Sequence, residues 1–306
     1  MRCKEFLNEI KRNRWLYFMM LPGVICFFLF NYLPLAGIIV AFKNFNFSKG
    51  IFFSPWVGLE NFKFFFNSNR WIIVTRNTVI LNLLFIFVHT VLQVTFALLM
   101  NEIKTRWFKK LSQTITFLPY FVSWIVVSVF TYNLFNYEYG ALNSFLTSIV
   151  KSKINIYSNP DIWPVIMTVI DCWKWAGYGM VIYLATITAI SQDYYDAATI
   201  DGAGKLQQTR YISIPLLMPT VVMLTLLSIG RIFNSDFGMF YGIIGDNSAL
   251  FSTMDVIDTF VYRSLRKLGD IGMASAIGFL QSIVGFCLIF GSNLLARKYQ
   301  DDGALF

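Results

Sequence analysis

The chain has 306 residues, of which 56% are hydrophobic and 14% charged, with a formal net charge of +8. A soluble domain carries about 25% charged residues, so the apolar excess must face something other than water. The positive balance does not argue for nucleic acid, because the basic residues gather in short segments at the ends of apolar runs.

Six runs lack Asp, Glu, Lys and Arg: 15–42, 77–101, 111–137, 175–192, 211–230 and 271–296. About 20 apolar residues carry a helix across ~30 Å of hydrocarbon. Hydrocarbon offers backbone groups no partner but one another, so each run is expected to be helical. The alternation of a β-barrel is absent. The expected fold class is therefore an all-α polytopic membrane protein with six transmembrane helices. The expected spans are about 15–42, 71–100, 111–135, 162–190, 215–233 and 271–296, within a transmembrane domain 15–296.

In chain order, a basic leader (1–14) precedes the first span. That span is too long for a signal-peptide core and no small-residue cleavage site follows it. Cys26 follows Ile25, not the small residue that lipidation requires, so retention of the segment is expected. Residues 43–70 carry Gly58-Leu59-Glu60-Asn61-Phe62 among aromatics suited to the headgroup zone. A tight turn with Lys104, Arg106, Lys109 and Lys110 joins spans two and three. A second connector covers 136–161, the fourth span holds Asp171 and Lys174, and a polar stretch, 191–214, leads to the fifth. The longest connector, 234–270, precedes the sixth span and a polar tail, 297–306. Lysines and arginines in the short loops place both termini in the cytoplasm, although Arg263, Arg266 and Lys267 run against that bias. Cys3, Cys26, Cys172 and Cys287 form neither a disulfide framework nor a metal spacing, so free cysteines and no metal are expected. No nucleotide-binding Gly-x-x-x-x-Gly-Lys-Ser/Thr loop and no catalytic constellation are present, so no enzyme activity is expected in this chain.

The stretch 193–219 is the most informative. Asp193 can cap a helix, Asp196 favours the same positive end, and Ala197 and Ala198 propagate it. Gly202 and Gly204 permit a sharp bend, Gln207 to Ile212 can resume a helix, and Pro215 can open the next span. The result is a helix–turn–helix elbow small enough to seat in a groove of another protein. Here the sequence resembles the permease subunits of binding-protein-dependent ABC importers, whose cytoplasmic loop reads Glu-Ala-Ala, three residues, Gly, nine residues, Ile-x-Leu-Pro. This chain has Asp196-Ala197-Ala198, Gly202 and Ile212-Ser213-Ile214-Pro215 at the same spacing, with Asp for Glu at 196 and Ile for Leu at 214. The run Ile200 to Ala203, Leu21-Pro22-Gly23, Asn31 to Pro34, Gly58 to Phe62, Met254 to Arg263 and Ala276 to Ser282 are similar to the branch that takes up oligosaccharides and polysaccharide fragments.

The resemblance implies the type I importer permease fold in a bacterial cytoplasmic membrane. It implies a second related permease, two ATP-binding subunits that hold ATP and Mg, an extracytoplasmic solute-binding protein and a carbohydrate substrate. It implies that Asp196, Ala197, Ala198 and Gly202, with Ile212 and Pro215 completing the motif, couple the membrane helices to the ATPase. The competing expectation for the loop is an ordinary Ala/Gly-rich connector.

Ionisable groups at membrane depth mark pathways or paired sites. Asp171 and Lys174 stand three apart on one helix face and could pair, amid Trp173, Trp175 and Tyr178. Sugars need apolar walls and a few oriented polar groups, so this cluster is a candidate contact; interfacial tryptophans with a snorkelling lysine are the plainer alternative. Arg231, Asn234 and Asp236 cluster past span five, and Asn82 shares a stripe with His89 and Gln93. His89 is expected to serve as an interhelical hydrogen-bond partner. A self-sufficient secondary transporter remains the alternative function, though no internal repeat supports it.

Overall fold

The computed structural model describes residues 12–67 and 70–299. Cys3, residues 1–11 of the leader and the tail beyond 299 lie outside the described residues. Among those described, regular structure is helical and one antiparallel bridge, Lys43–Trp56, is the sole β pairing. Five helical segments are long and apolar enough to cross a membrane: Arg14–Phe42, Trp71–Glu102, Trp163–Thr188, Lys205–Ile229 and Ile271–Leu294. Arg106–Phe121 and Trp124–Phe135 make a sixth span if the pair counts as one, bent by 93°. The third apolar run is thus not the continuous helix its composition suggests.

The chain divides into two compact units, Met1–Asn67 with Ser264–Leu280, and Ser68–Arg263 with Gln281–Phe306. In the first, α1 (Arg14–Phe27) passes through a π turn, Phe28–Tyr32, into a 3-10 segment, Leu33–Phe42. No residue of α1 is buried, as suits a lipid-facing helix. After it, Lys43 folds inward: its ammonium donates to the carbonyls of Ile51 (3.0 Å) and Phe52 (2.7 Å) and lies over the Trp56 ring. Asn61, in α2 (Glu60–Asn67), donates to the carbonyls of Ala41 (2.8 Å) and Lys43 (2.9 Å), and Phe62 packs with Phe42 and Phe279. The Gly58-to-Phe62 motif therefore closes the turn that follows the first span.

In the second unit the core is α3 (Trp71–Glu102) against α6 (Trp163–Thr188). Leu81, Phe85, Trp163 and Met167 bury with Met239 and Phe240 towards one end, and Ala97, Met180, Tyr183 and Leu217 towards the other. Gly177 lets α6 approach α4 (Arg106–Phe117): a Cβ there would strike the Thr116 carbonyl. The break at 118–123 follows from Pro119, which lacks an N–H, and from Ser123, extended and capping α5 (Trp124–Phe135) through Val126 N (3.4 Å).

Beyond α6 come α7 (Gln192–Ile200), a short helix Lys205–Gln208, a π turn Thr209–Ser213 and α8 (Ile214–Ile229). Pro215 therefore lies inside a longer helical segment rather than opening it. Its ring would strike the carbonyl four residues back, and the wider turn relieves this by closing Ile214 N onto Thr209 O. The same device precedes Pro34, where Leu33 N bonds Phe28 O. Then follow α9 (Phe237–Ile244), α10 (Ile257–Leu268) and α11 (Ile271–Tyr299).

Candidate functional site

Two features of the second unit carry chemistry: the elbow after α6, and a cavity between α3, α6 and α8. The elbow begins at Ser191, whose hydroxyl accepts from Asp193 N (3.3 Å); Ser191, not Asp193, is the helix cap, and Asp193 occupies the first turn. Helix α7 ends in a left-handed cap at Gly202, with φ +81°. Ala203 N reaches Ala198 O (2.8 Å) and Gly202 N reaches Thr199 O (3.1 Å), the paired bonds that satisfy carbonyls at a helix end. A side chain at 202 would meet open space but an unfavourable backbone.

Gln208, buried, ties the turn together by donating to Thr199 Oγ1 (2.8 Å) and to the carbonyls of Tyr195 and Ala203 (both 3.4 Å). Tyr195 OH and Ser213 Oγ share a hydrogen bond of 2.9 Å. Asp196, exposed, accepts from Gln192 Nε2 (3.1 Å). Rigid inside, the elbow is apolar outside: Ile200 is 87% and Leu206 82% exposed, with Tyr194 and Tyr211 also exposed. Asp196, Ala197, Gly202 and Pro215 are exposed too, while Ala198 and Ile212 are half-buried. An internally pinned segment that offers apolar side chains to water has the build of a docking element.

The cavity holds about 480 Å³ and is lined by His89, Gln93, Trp175, Tyr178, Tyr183, Ser228 and Arg231, among others. Gln93 Nε2 donates to Trp175 O (3.1 Å), and Gly179 leaves room for the Gln93 amide. Trp175 and Tyr178 meet edge to face and both pack on Tyr120. Of the expected pathway residues, Trp175, Tyr178 and Arg231 line this space. Asn82, Asp171, Trp173, Lys174, Asn234 and Asp236 do not line it, although Lys174 and Asp236 meet at Trp124.

Asp171 and Lys174 do not pair. Asp171 Oδ2 lies 3.0 Å from His89 Nε2, because α3 packs on that face of α6. Lys174 instead serves the break in the third span, donating to the carbonyls of Pro119 (3.5 Å), Tyr120 (3.1 Å) and Val122 and lying over the Trp124 ring. These are the carbonyls a broken helix leaves without partners. Trp124 Nε1 in turn donates to Asp236 Oδ2 (2.5 Å), and Asp236 Oδ1 caps α9 at Met239 N (3.2 Å). Trp173 points the other way, half exposed between two apolar grooves. Asn82 donates to Thr78 O, Ile232 O and Ser235 Oγ, so it fastens the end of α8. Asn234 is exposed, with its N–H on Arg231 O (2.8 Å).

Gln93, Tyr183 and Ser228 line the cavity without standing out in the sequence as pathway residues. The one available signal is that Gln93 and His89 sit four apart on α3.

The opposite end of the unit is knit by the Met254-to-Arg263 motif. Arg263 pairs with Asp255, both buried, and its guanidinium lies 4.1 Å from the Phe251 ring centroid. Thr259 Oγ1 also donates to Asp255 (2.9 Å), Asn77 Nδ2 to the Asp255 carbonyl (3.1 Å), and Ile257 N to Thr78 Oγ1 (2.9 Å). Asp258 accepts from Ser235 N (2.8 Å) and Gln281. Burial pushes both carboxyls above the usual range; the Arg263 charge opposes this at Asp255, and the bond from Ser235 opposes it at Asp258. Arg263 is thus a structural charge held inside the fold.

A bundle of membrane helices with a rigid, exposed elbow between its fourth and fifth spans defines the membrane-embedded subunit of a transporter. The chain belongs to the family described as binding-protein-dependent transport system inner membrane component, which matches residues 93–301. It is 33% identical over 300 residues to the polygalacturonan/rhamnogalacturonan transport system permease protein YteP of Bacillus subtilis, covering 98% of this chain and 93% of that one. It is 30% identical over 287 residues to the trehalose/maltose transport system permease protein MalF of Thermococcus litoralis, covering 92% of each. The crystal structure of a bacterial ABC transporter involved in the import of the acidic polysaccharide alginate contains a chain with TM-score 0.86 and 28% identity, covering 97% of this chain and 99% of that one.

Proposed function

We propose that this chain is one of two permease subunits of an ATP-driven importer that carries an oligosaccharide or glycan fragment across a bacterial cytoplasmic membrane, with both termini in the cytoplasm. An extracytoplasmic binding protein delivers the solute. Two partner subunits bind ATP and Mg and hydrolyse the nucleotide; this chain supplies none of that chemistry. The observation that carries the reading is the elbow: Asp196, Ala197, Ala198 and Gly202 stand on a pinned turn whose apolar side chains are uncovered in this chain. Closure of the ATPase pair pulls that turn. Because Lys205–Ile229 is continuous helix, the pull reaches the cavity wall at Leu224 and Ser228 without a flexible joint, and Arg231 follows two residues beyond its end. Trp175 and Tyr178 present ring faces to sugar C–H groups there, and Gln93 and Ser228 answer hydroxyls. The substrate class rests on the relatives named for glycan uptake.

The test is to tag the chain, solubilise native membranes mildly and identify what co-purifies. A nucleotide-binding subunit and a second permease are expected, with ATPase activity raised by the loaded binding protein. A chain that runs alone and moves solute in ATP-free vesicles would make it a secondary transporter.

A further inference from the structure

The cavity between α3, α6 and α8 has one arginine in its wall. Among the described residues, its lining carries no carboxylate. His89 lies against Asp171, which is buried behind it and does not line the cavity. The acids on neighbouring elements are engaged elsewhere: Asp171 lies against His89, Asp236 accepts from Trp124 Nε1 and Met239 N, and Asp258 accepts from Ser235 N and Gln281. Arg231 is different. It stands two residues past the end of α8, is exposed to the cavity, and among the described residues no acidic side chain pairs with its guanidinium. An ionisable group facing an intramembrane cavity without a protein partner is expensive unless a ligand or water answers it. Beside it stand two aromatic faces, Trp175 and Tyr178, and the polar groups of Gln93 and Ser228.

We infer that Arg231 is a specificity residue for a carboxylate-bearing saccharide, a uronate oligomer, whose sugar faces lie on Trp175 and Tyr178 while one carboxylate takes the guanidinium fork. The inference rests on the importer reading above and names its substrate class. Named relatives take up both charged and neutral saccharides, so they do not decide the point; the unpaired guanidinium in the cavity wall does. A planar guanidinium matches a carboxylate in a two-bond fork, and a water-poor setting strengthens the pair. A neutral sugar leaves the charge unanswered and loses that interaction. Lysine keeps the charge but not the fork.

The test uses the whole importer, purified with its partner subunits and binding protein and reconstituted in vesicles, with uptake of trigalacturonate and of its carboxyl-reduced neutral counterpart. The binding protein is the same throughout, so any change in the ratio of the two belongs to the permease. R231M is expected to lower trigalacturonate uptake by about 10- to 100-fold, the range for losing a charged hydrogen-bonded partner. The ratio of trigalacturonate to neutral uptake should fall by a similar factor, and R231K should recover a substantial part of it. Equal loss of both sugars, no loss in R231M, or R231K no better than R231M overturns the inference while leaving the importer reading intact. So does a wild type that carries only the neutral sugar. An R231M effect that tracks the anionic-lipid content of the vesicles, whatever the sugar, assigns the guanidinium to a lipid phosphate and also overturns it. A wild-type importer whose ATPase answers neither saccharide, nor any other glycan fragment, removes the importer reading itself.

Discussion

Replacing Arg263 with methionine tests the account of the Met254-to-Arg263 motif. Asp255 is 2% exposed and Arg263 7%, so the change strands a carboxylate in the interior with Thr259 as its remaining side-chain partner. Removing one member of a buried ion pair costs about 3–5 kcal/mol, on the order of 10 °C in Tm for a chain of this size. The loss should depend on pH. Burial already holds the Asp255 carboxyl above its ordinary value, and Arg263 is the group that pulls it down. A carboxyl whose folded pKa exceeds its unfolded value keeps its proton longer in the folded state. Its contribution is therefore fully present at low pH and is lost as pH rises through the folded value. R263M removes the opposing pull and widens that window upward. Thermal unfolding followed by tryptophan fluorescence, from about pH 5 to about pH 8, should show R263M furthest below wild type at the alkaline end and closer at the acid end. Asp258 shifts in the same direction from burial, so each variant is compared with wild type at the same pH. R263M/D255N should regain most of the loss, since no charge is left stranded. An R263M protein as stable as wild type, or one whose deficit does not change with pH, would refute the reasoning.

Three further perturbations follow. At Gly202, with φ +81° and open space where a side chain would stand, valine should cost about 1–2 kcal/mol in the elbow while asparagine, which tolerates the left-handed region, costs less; stimulated ATPase of the assembled transporter should fall in the order wild type, G202N, G202V. K174M leaves the carbonyls of Pro119, Tyr120 and Val122 without their shared donor and should destabilise the chain by about 1–3 kcal/mol, with K174R intermediate, read by unfolding in nanodiscs. G177V places side-chain carbon against the Thr116 carbonyl and the Phe117 backbone, which cannot rotate away, so the yield of folded protein by size exclusion should collapse, while G204A, in open surroundings, should not change it.

The helical content is legible because charge-free runs of membrane length leave the backbone little choice. The break in the third run is less so. Pro119 and Ser123 are visible, but what makes the break tolerable is Lys174, 55 residues from Pro119, and no local pattern announces that. The same limit explains the pairing of Asp171. Spacing along one helix puts it beside Lys174, whereas the partner comes from His89 on the neighbouring helix. Arg263 reads as a loop charge because Asp255 precedes the helix that holds it, so no helical spacing links them. The elbow is readable in detail because its Gly, Ala and Pro each meet a local backbone demand; the cap falls two residues earlier than expected, since Ser191 and Asp193 are both capable acceptors. The cavity is readable in part: its aromatic and charged walls stand out, while Gln93 and Ser228 are ordinary polar residues until packing turns them inward.

The central claim is that the elbow docks on an ATP-hydrolysing partner. Ile200, 87% exposed on that elbow, offers the most direct test. I200C, in a chain whose native cysteines are replaced, would be cross-linked with a short bifunctional reagent in native membranes and the adduct identified by mass spectrometry. A single major adduct with a nucleotide-binding subunit is expected, formed in different yield with and without ATP. An elbow cysteine that reacts freely with small thiol reagents yet yields no adduct with a nucleotide-binding protein would contradict it.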